Sequence, residues 1–363
     1  MPSTHSSRLE RWLGKEGVEN LSNSMRGYYG PPIPVANVPG RVFACGDGDF
    51  CGPIQGGYVS SLYEYACHKI QNAWKRHVKR QQSTLHAGFA SLSDLISEAT
   101  SGGKRQDFVV AKAGGTGVAT LANNLMMEGV LPPTMTTLTA NNGESPTNTT
   151  QGAIKYTNPT GGDTLHFVSA TFMSSVGNNC LMMYDLYYRF LHNIAATQAV
   201  SDVPSRYQST EAAGTFMTTF VAGVLSAGTL THQITYMDQD GNTAEAATAN
   251  AFRASAIARS FPHAVTVGNG WFIPLNTGDV GVRKITNLTM SNTTMTGTVH
   301  VCLCKPYVWI PQPIASQALV IDGINAAFNL VKITDSSCIQ FFELCKGATT
   351  ATNYNGIVTF VAG

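Results

Sequence analysis

From about residue 105 to its end the chain alternates apolar and polar positions with a period of two. That period sends successive side chains to opposite faces of a strand. It is clearest in DTLHFVSATF (Asp163–Phe172), LTHQITYMD (Leu230–Asp238), TVHVCLC (Thr298–Cys304), CIQFFEL (Cys338–Leu344) and the terminal GIVTFVAG. In Thr298–Cys304 it assigns Val299, Val301 and Leu303 to one face and His300, Cys302 and Cys304 to the other. Turn-forming clusters separate the runs: NPTGGD, DQDGN, VGNG, NTGD and SNTTMTG. Roughly seven to ten short strands at such spacing predict a mainly β chain, folded as a jelly-roll-like β-sandwich. DQDGN (Asp238–Asn242) is the best hairpin signal, because Asp-Gly suits a type I′ turn.

Upstream the period lengthens. Val59, Leu62, Ala66, Ile70, Ala73 and His77 recur every three or four residues and predict a helix over 59–80. A second helix is predicted over Ser91–Ala99, with Leu92, Leu95, Ile96 and Ala99 in phase and Ser91 as its N-cap. Before these, Pro31, Pro32, Pro34 and Pro39 forbid both long helix and central strand. Residues 1–57 therefore read as an extended arm whose Trp12, Tyr28, Tyr29, Ile33, Val35 and Phe43 need a surface to lie on. Three parts result: the arm at 1–57, a helical or mixed region at 58–130, and the sandwich at 131–363. The last opens with a Pro/Thr/Asn-rich loop over 131–160.

Composition sharpens this. Charged residues make up 12% of the chain, about half the usual ~25%, while 43% are hydrophobic and the net charge is +1. The chain is thus not of the disordered class. Residues 1–130 carry 13 basic and 10 acidic side chains, and 131–363 carry 10 and 12, so neither part reads as a nucleic-acid binder. A weakly charged, Thr/Asn/Gly-rich β chain suits close packing against neighbours. The eight cysteines, Cys45, Cys51, Cys67, Cys180, Cys302, Cys304, Cys338 and Cys345, include no CxxC pair. They read as buried thiols of a protein assembled in a reducing cytoplasm. No secretory signal is expected at the N-terminus, and the longest apolar run, NNCLMMYDLYYRFLHNI, is broken by Asp185 and Arg189.

Candidate chemistry is sparse. Asp47 and Asp49 in ACGDGDFCG suggest a calcium loop, but the bidentate Glu of that motif is missing and a Gly-rich turn is expected instead. AGGTGVATL (Ala113–Leu121) lacks the Gly-Lys-Ser/Thr ending of a phosphate cradle. His300, Cys302 and Cys304 form a row of soft ligands that lacks a marked fourth partner. The basic stretch WKRHVKR (Trp74–Arg80) suits an acidic protein neighbour better than nucleic acid. Asp238 and Asp240 would serve a hydrolase as a carboxylate pair, but they fit a hairpin turn. YDLYY (Tyr184–Tyr188) is the one candidate for a sugar-binding groove, and alternation puts Tyr184, Leu186 and Tyr188 on one core face. No catalytic residue, cofactor or metal is expected.

The stretch WFIPLNTGDVGVRKITNLTMSNTTMTGTVHVCLCKPYVWIP resembles a pattern in structural proteins of tailed bacteriophages. Its marks are Leu275, Gly278, Asp279, Gly281, Val282 and Arg283, then Gly297, Thr298, Lys305, Pro306, Ile310 and Pro311. LMMYDLYYRF, ITYMDQDGNTAEAAT and YYGPPIPVANVPGRVFACGDGDFCGPI look like further parts of it, so the resemblance spans much of 20–320. It implies a virion structural protein, a capsid-associated cement or decoration protein that forms trimers or lattice contacts and docks on shell subunits through its arm. A major capsid protein, or a tail or fibre protein recognising host carbohydrate, are the alternatives. Gly278, Asp279, Gly281 and Arg283 are expected to build a corner of the sandwich: the glycines by their backbone freedom, Asp279 on turn amides, Arg283 beside Asp279.

Overall fold

The computed structural model describes residues 89, 91–101, 103–113, 122–228, 230–252, 255–256, 258–262, 272–291, 294–324, 330–345 and 352–363. The chain divides into Met1–Lys75 and Arg76–Gly363, and everything described lies in the second part. The arm with Trp12, Tyr28, Tyr29, Ile33, Val35 and Phe43, the 59–80 helix, WKRHVKR, and Asp47 and Asp49 all lie outside the described residues.

The described residues are mainly strand. A helix, α1 (Leu92–Ser101), precedes β1 (Arg105–Ala113), β2 (Ala122–Asn124), β3 (Asn142–Glu144), β4 (Leu165–Ser174) and β5 (Asn179–Asn193). Then come β6 (Gln198–Ala199), β7 (Phe216–Gly223), β8 (Leu230–Asp238), β9 (Glu245–Ala246), β10 (Asn250–Phe252) and β11 (Val282–Met290). The chain closes with β12 (Thr298–Gln312), β13 (Ala318–Asp322), β14 (Lys332–Ile333), β15 (Ile339–Cys345) and β16 (Asn353–Ala362). Strands of the β fold thus begin upstream of residue 131, at β1 and β2.

Three antiparallel sheets form. The first runs β1-β16-β4-β13 with β14 on β4, the second β10-β8-β11-β6 with β9 on β8, and the central one β2-β15-β5-β12-β7 with β3 on β5. The 15-residue β5 and β12 are the backbone of the central sheet. One half of a shared face packs Val299, Val301, Leu303 and Tyr187 against Ile234, Tyr236, Val282 and Ile285 of the second sheet. The other half packs Leu181, Met183, Val308 and Ile310 against Phe167, Phe172, Val358 and Phe360 of the first. The described residues therefore form two sandwiches side by side on one long sheet. The opposite face carries Met182, Tyr184, Leu186, Phe220, Cys302, Cys304 and Phe342 in a third apolar cluster.

Two extra residues keep this arrangement in phase. The β5–β12 register shifts between Leu303/Tyr188 and Cys304/Leu186, and again between Pro306/Tyr184 and Val308/Met183. Tyr187 and Tyr307 are the residues left over, each a β-bulge that reverses which parity faces inward. The bulge corrects one expectation: Tyr184 and Leu186 share a face, but Tyr188 joins the opposite core. Prolines also find their permitted places. β7 pairs only with Thr298–Cys304, so Pro306 and Pro311 sit where that side of β12 has no named strand beside it.

Ser91 caps α1, its Oγ accepting from the Asp94 amide at 3.1 Å. Only Leu95 and Ala99 of the expected stripe face inward, packing with Phe89 and Val361 over one end of the first sheet's outer face. Leu92 and Ile96 are exposed. The Asp238 hairpin forms, joining β8 to β9, but not as a type I′ turn. Gly241 has φ 94° and Asp240 is not in the left-handed region. The turn is held by the Asp238 carboxylate, which accepts from the amides of Asp240, Gly241 and Asn242 at 2.9, 2.7 and 2.8 Å and from Asn242 Nδ2 at 2.7 Å. Burial works to raise its pKa, but these donors, the Asn242 side chain foremost, outweigh it and hold it below the usual carboxylate range.

Candidate functional site

The expected corner exists, and it locks onto the Asp238 hairpin. Gln239 Oε1 accepts from the Val280 and Gly281 amides at 3.0 and 3.1 Å. Arg283 returns the grip, donating through Nε and Nη2 to the Gln239 carbonyl at 3.1 and 2.6 Å. Asp279 takes the Tyr236 hydroxyl at 2.5 Å, and that oxygen also accepts the Asn276 amide at 2.7 Å. Asp279 and Arg283 are thus spent on different partners of one hairpin, and among the described residues no ion pair joins them. Gly278 has φ 99°, which favours glycine. Gly281 has no such angle; an added Cβ there would fall on the Ala212 carbonyl oxygen. Close approach of two backbones, at the Ala213–Gly281 bridge, is what keeps Gly281 small. The corner fastens two chain segments and offers no reacting group.

Where the two sandwich cores meet, the shared face turns polar. Asp185 is fully buried there. Its carboxylate accepts from Arg206 Nε and Nη2 at 3.0 and 2.9 Å, Ser337 Oγ at 3.0 Å and the Cys338 amide at 2.8 Å. The Tyr207 hydroxyl lies 3.0 Å from Asp185 and 3.3 Å from the Tyr307 hydroxyl. Arg206 Nη2 also reaches the Pro146 and Leu186 carbonyls. Burial, and then neighbouring negative groups, push the Tyr207 and Tyr307 phenols up, so both stay protonated. Every carboxylate oxygen is saturated, so the knot binds chain to chain and has no open position for a substrate. The signal for Asp185 was visible: it breaks an apolar run. Its partners in SRYQS gave no sign, since they come from a loop.

Two other buried charges are treated alike. Arg189 donates to Glu144 at 2.6 Å and to the Thr136 carbonyl at 2.8 Å. Glu343 accepts from Asn123 Nδ2 at 2.9 Å and the Tyr354 hydroxyl at 2.8 Å. His300, Cys302 and Cys304 do share a face, as the alternation predicted. Burial, with the Arg189 charge adding, lowers His300 to about 3, and burial raises both thiols. Among the described residues no three His, Cys, Asp or Glu side chains are placed to share a metal ion. No helix among them is long and apolar enough to cross a membrane.

Two surface features remain. A groove of about 580 Å³ lies between the edge strands β3 and β6, lined by Thr136, Asn142, Glu144, Gln198, Ser201 and Asp202 among others. Its aromatic residue, Phe190, is buried, so it gives a sugar no ring to stack on. The second feature is the outer face of the first sheet. Register aligns Val109 with Ile357, Ile357 with Thr171, and Thr171 with Val320, one row across four strands. Val109, Ile357 and Val320 are 60%, 48% and 61% exposed. The next row is Ala111, Asn355, Met173 and Ala318, with Met173 also exposed. This contiguous apolar field on a solvent face was not foreseen, because alternation shows which residues share a face but not which face is covered.

No family model matches the chain, and no curated protein matches it. Solved structures of the VP2 protein of infectious bursal disease virus overlap with it. A mutant VP2 in derived T=1 particles does so at 11% identity over 74% of this chain and 83% of that one, with a TM-score of 0.16. A VP2 subviral particle does so at 10% identity over 75% and 86%, with a TM-score of 0.15. Overlaps at such TM-scores carry no argument about fold or role.

Proposed function

We propose that this protein is a structural component of a virion, and more specifically a capsid-associated cement or decoration protein of a tailed phage. The observation that carries the reading is the apolar field on the first sheet, exposed among the described residues. A sheet face of aligned Val, Ile and Met side chains is a surface for packing against another protein. The internal chemistry agrees, since the buried charges Asp185, Arg189, Arg206 and Glu343 all hold chain to chain. The low charge content suits a molecule with much of its surface against neighbours, whether as a trimer or in a lattice. Docking falls to the arm at 1–57, through Trp12, Tyr28, Tyr29, Ile33, Val35 and Phe43, onto shell subunits, with assembly in the host cytoplasm. No nucleic-acid or membrane partner is proposed for it, and no reaction is assigned to it.

The test is co-sedimentation of full-length protein and of a Trp12→Ala/Tyr28→Ala/Tyr29→Ala variant with particles lacking the protein. Wild type is expected to pellet with particles and the variant to lose about ten-fold in bound fraction, since large aromatics dominate such interfaces. Equal binding removes the arm as anchor. Copy number per particle separates the neighbouring roles: hundreds of copies mark a shell component, whereas a few to a dozen mark a tail or fibre protein.

A further inference from the structure

The sandwich built on the second sheet closes at one end on two histidines. His192 comes from β5 of the central sheet and His232 from β8 of the second. Both are buried, with ring centroids 5.8 Å apart and planes at 34°. Phe190 flanks His192 at 6.4 Å, and Phe252 flanks His232 at 5.1 Å. The adjoining strands set Val299 beside His192, and Asn250 and Met290 beside His232. None of these neighbours is charged. Arg189 of β5 is aligned with Cys302 on the reverse face, where it holds Glu144.

The same end is where the chain changes sheets. After β5 it passes through 194–197 into β6, an edge strand of the second sheet. His192 Nε2 donates to the Ala196 carbonyl at 2.9 Å. One residue on, Thr197 Oγ1 accepts from the Met290 amide at 3.3 Å. β6 itself pairs at two positions, Ala199 with Asn287 and Gln198 with Leu288. The crossover is thus held by His192 on one side and by the strand beside His232 on the other.

A charge on either ring loses its hydration in this apolar site, and charges on both would repel across 5.8 Å. Burial already holds His192 below the ordinary histidine value, with the bond to the Ala196 carbonyl opposing, and no acid contributes. Once the end opens, the ring takes up its proton near the ordinary value of ~6.5. Closure therefore keeps its full stability above that pH and loses it as the pH falls below. His300, on the reverse face of the central sheet, is lowered to about 3, so it stays neutral through this window.

We propose that the sandwich on the second sheet opens at its β5–β6 end in mild acid, with His192 facing His232 as the trigger, while the sandwich on the first sheet stays closed. Opening frees β6 and bares Val200, Phe252 and Met290, which the closed form buries. Acid thereby uncovers a new apolar surface at one end of the described fold. This goes beyond the virion reading and does not depend on it.

The test is hydrogen exchange of the full-length protein at pH 7.5 and pH 5.0, corrected for the intrinsic pH dependence of exchange. Peptides covering 192–200, 230–233 and 286–290 are expected to exchange at least ten-fold faster at pH 5.0. Peptides covering 165–174 and 354–361, in the first sheet, should change less than about two-fold. The His192→Gln/His232→Gln variant, whose amides do not titrate, should lose the acceleration while keeping its far-UV circular dichroism. Unchanged exchange in the wild type, equal acceleration in both sheets, or acceleration that persists in the folded variant would overturn the proposal. Should the variant fail to fold, 15N-histidine spectra of the wild type decide. Protonation of the His192 and His232 rings must share its midpoint with the opening, and midpoints more than about one pH unit apart would overturn the proposal.

Discussion

The Arg206 guanidinium grips the Asp185 carboxylate with two nitrogens, at 2.9 and 3.0 Å, where the two apolar cores abut. Arg206 comes from a loop and Asp185 from the longest strand pair of the molecule. The pair therefore fixes where the chain returns across the shared sheet. Arg206→Met would strand a buried carboxylate, at a cost of about 3–5 kcal/mol. Removing both partners should cost less than the two single changes added together. Urea unfolding of the two single mutants and the double mutant measures this; simple additivity would show that the grip contributes nothing of its own.

Gly278 and Gly281 separate two reasons for glycine in one corner. Gly278→Ala meets open space but keeps φ 99°, and should lose about 1 kcal/mol. Gly281→Ala drives a methyl onto the Ala212 carbonyl, and should lose about 3 kcal/mol or more, because backbone must move. Chemical denaturation of both variants checks the ranking. Equal losses would remove the backbone contact as the cause.

Lys112 gives a pH dependence with a definite sign. Burial lowers its pKa to about 8, against smaller opposing effects of Cys338 and Glu128. The ammonium donates to the Glu128 and Pro132 carbonyls at 2.9 Å each. Between pH 8 and the unfolded value near ~10.4 the unfolded chain binds more protons, so stability rises with pH across that window. The difference in stability between wild type and Lys112→Met should therefore climb from pH 8 to 10 and be flat below. A difference flat throughout would mean that the amine is not buried as described.

Cys302, Cys304 and Cys338 are fully buried. Burial raises all three thiols, Cys338 to about 12, so little thiolate exists at pH 8. Native alkylation at pH 8, read peptide by peptide, should leave these three unlabelled, and unfolding in denaturant should label them fully. Cys180 is half-buried and should react sooner. Rapid native labelling of Cys302 or Cys304 would mean that the third cluster opens readily.

Much of the fold was legible because alternation reports directly on facing. Val299, Val301 and Leu303 lie in one core and His300, Cys302 and Cys304 on the reverse, as the pattern required. Leu230–Asp238 coincides with β8 residue for residue. What failed was phase and partnership. A bulge at Tyr187 cannot be seen in the run YDLYY, because it is fixed by the register of β12 and not by local preference. Arg283 was expected beside Asp279, four residues away, yet each found a partner on the hairpin some forty residues upstream. The exposed row on β1, β16 and β13 was hidden for the same reason: Val109, Ile357 and Val320 are neighbours only after the sheet has formed.

β5 and β12 run unbroken through both sandwiches, paired from Thr298–Asn193 to Gln312–Asn179. A pull on either lobe is thereby carried into the other along one ladder, whose many rungs would have to shear together before the lobes could part. These two described strands thus form a single tie-bar, with the Asp185 knot as the rivet near its midpoint.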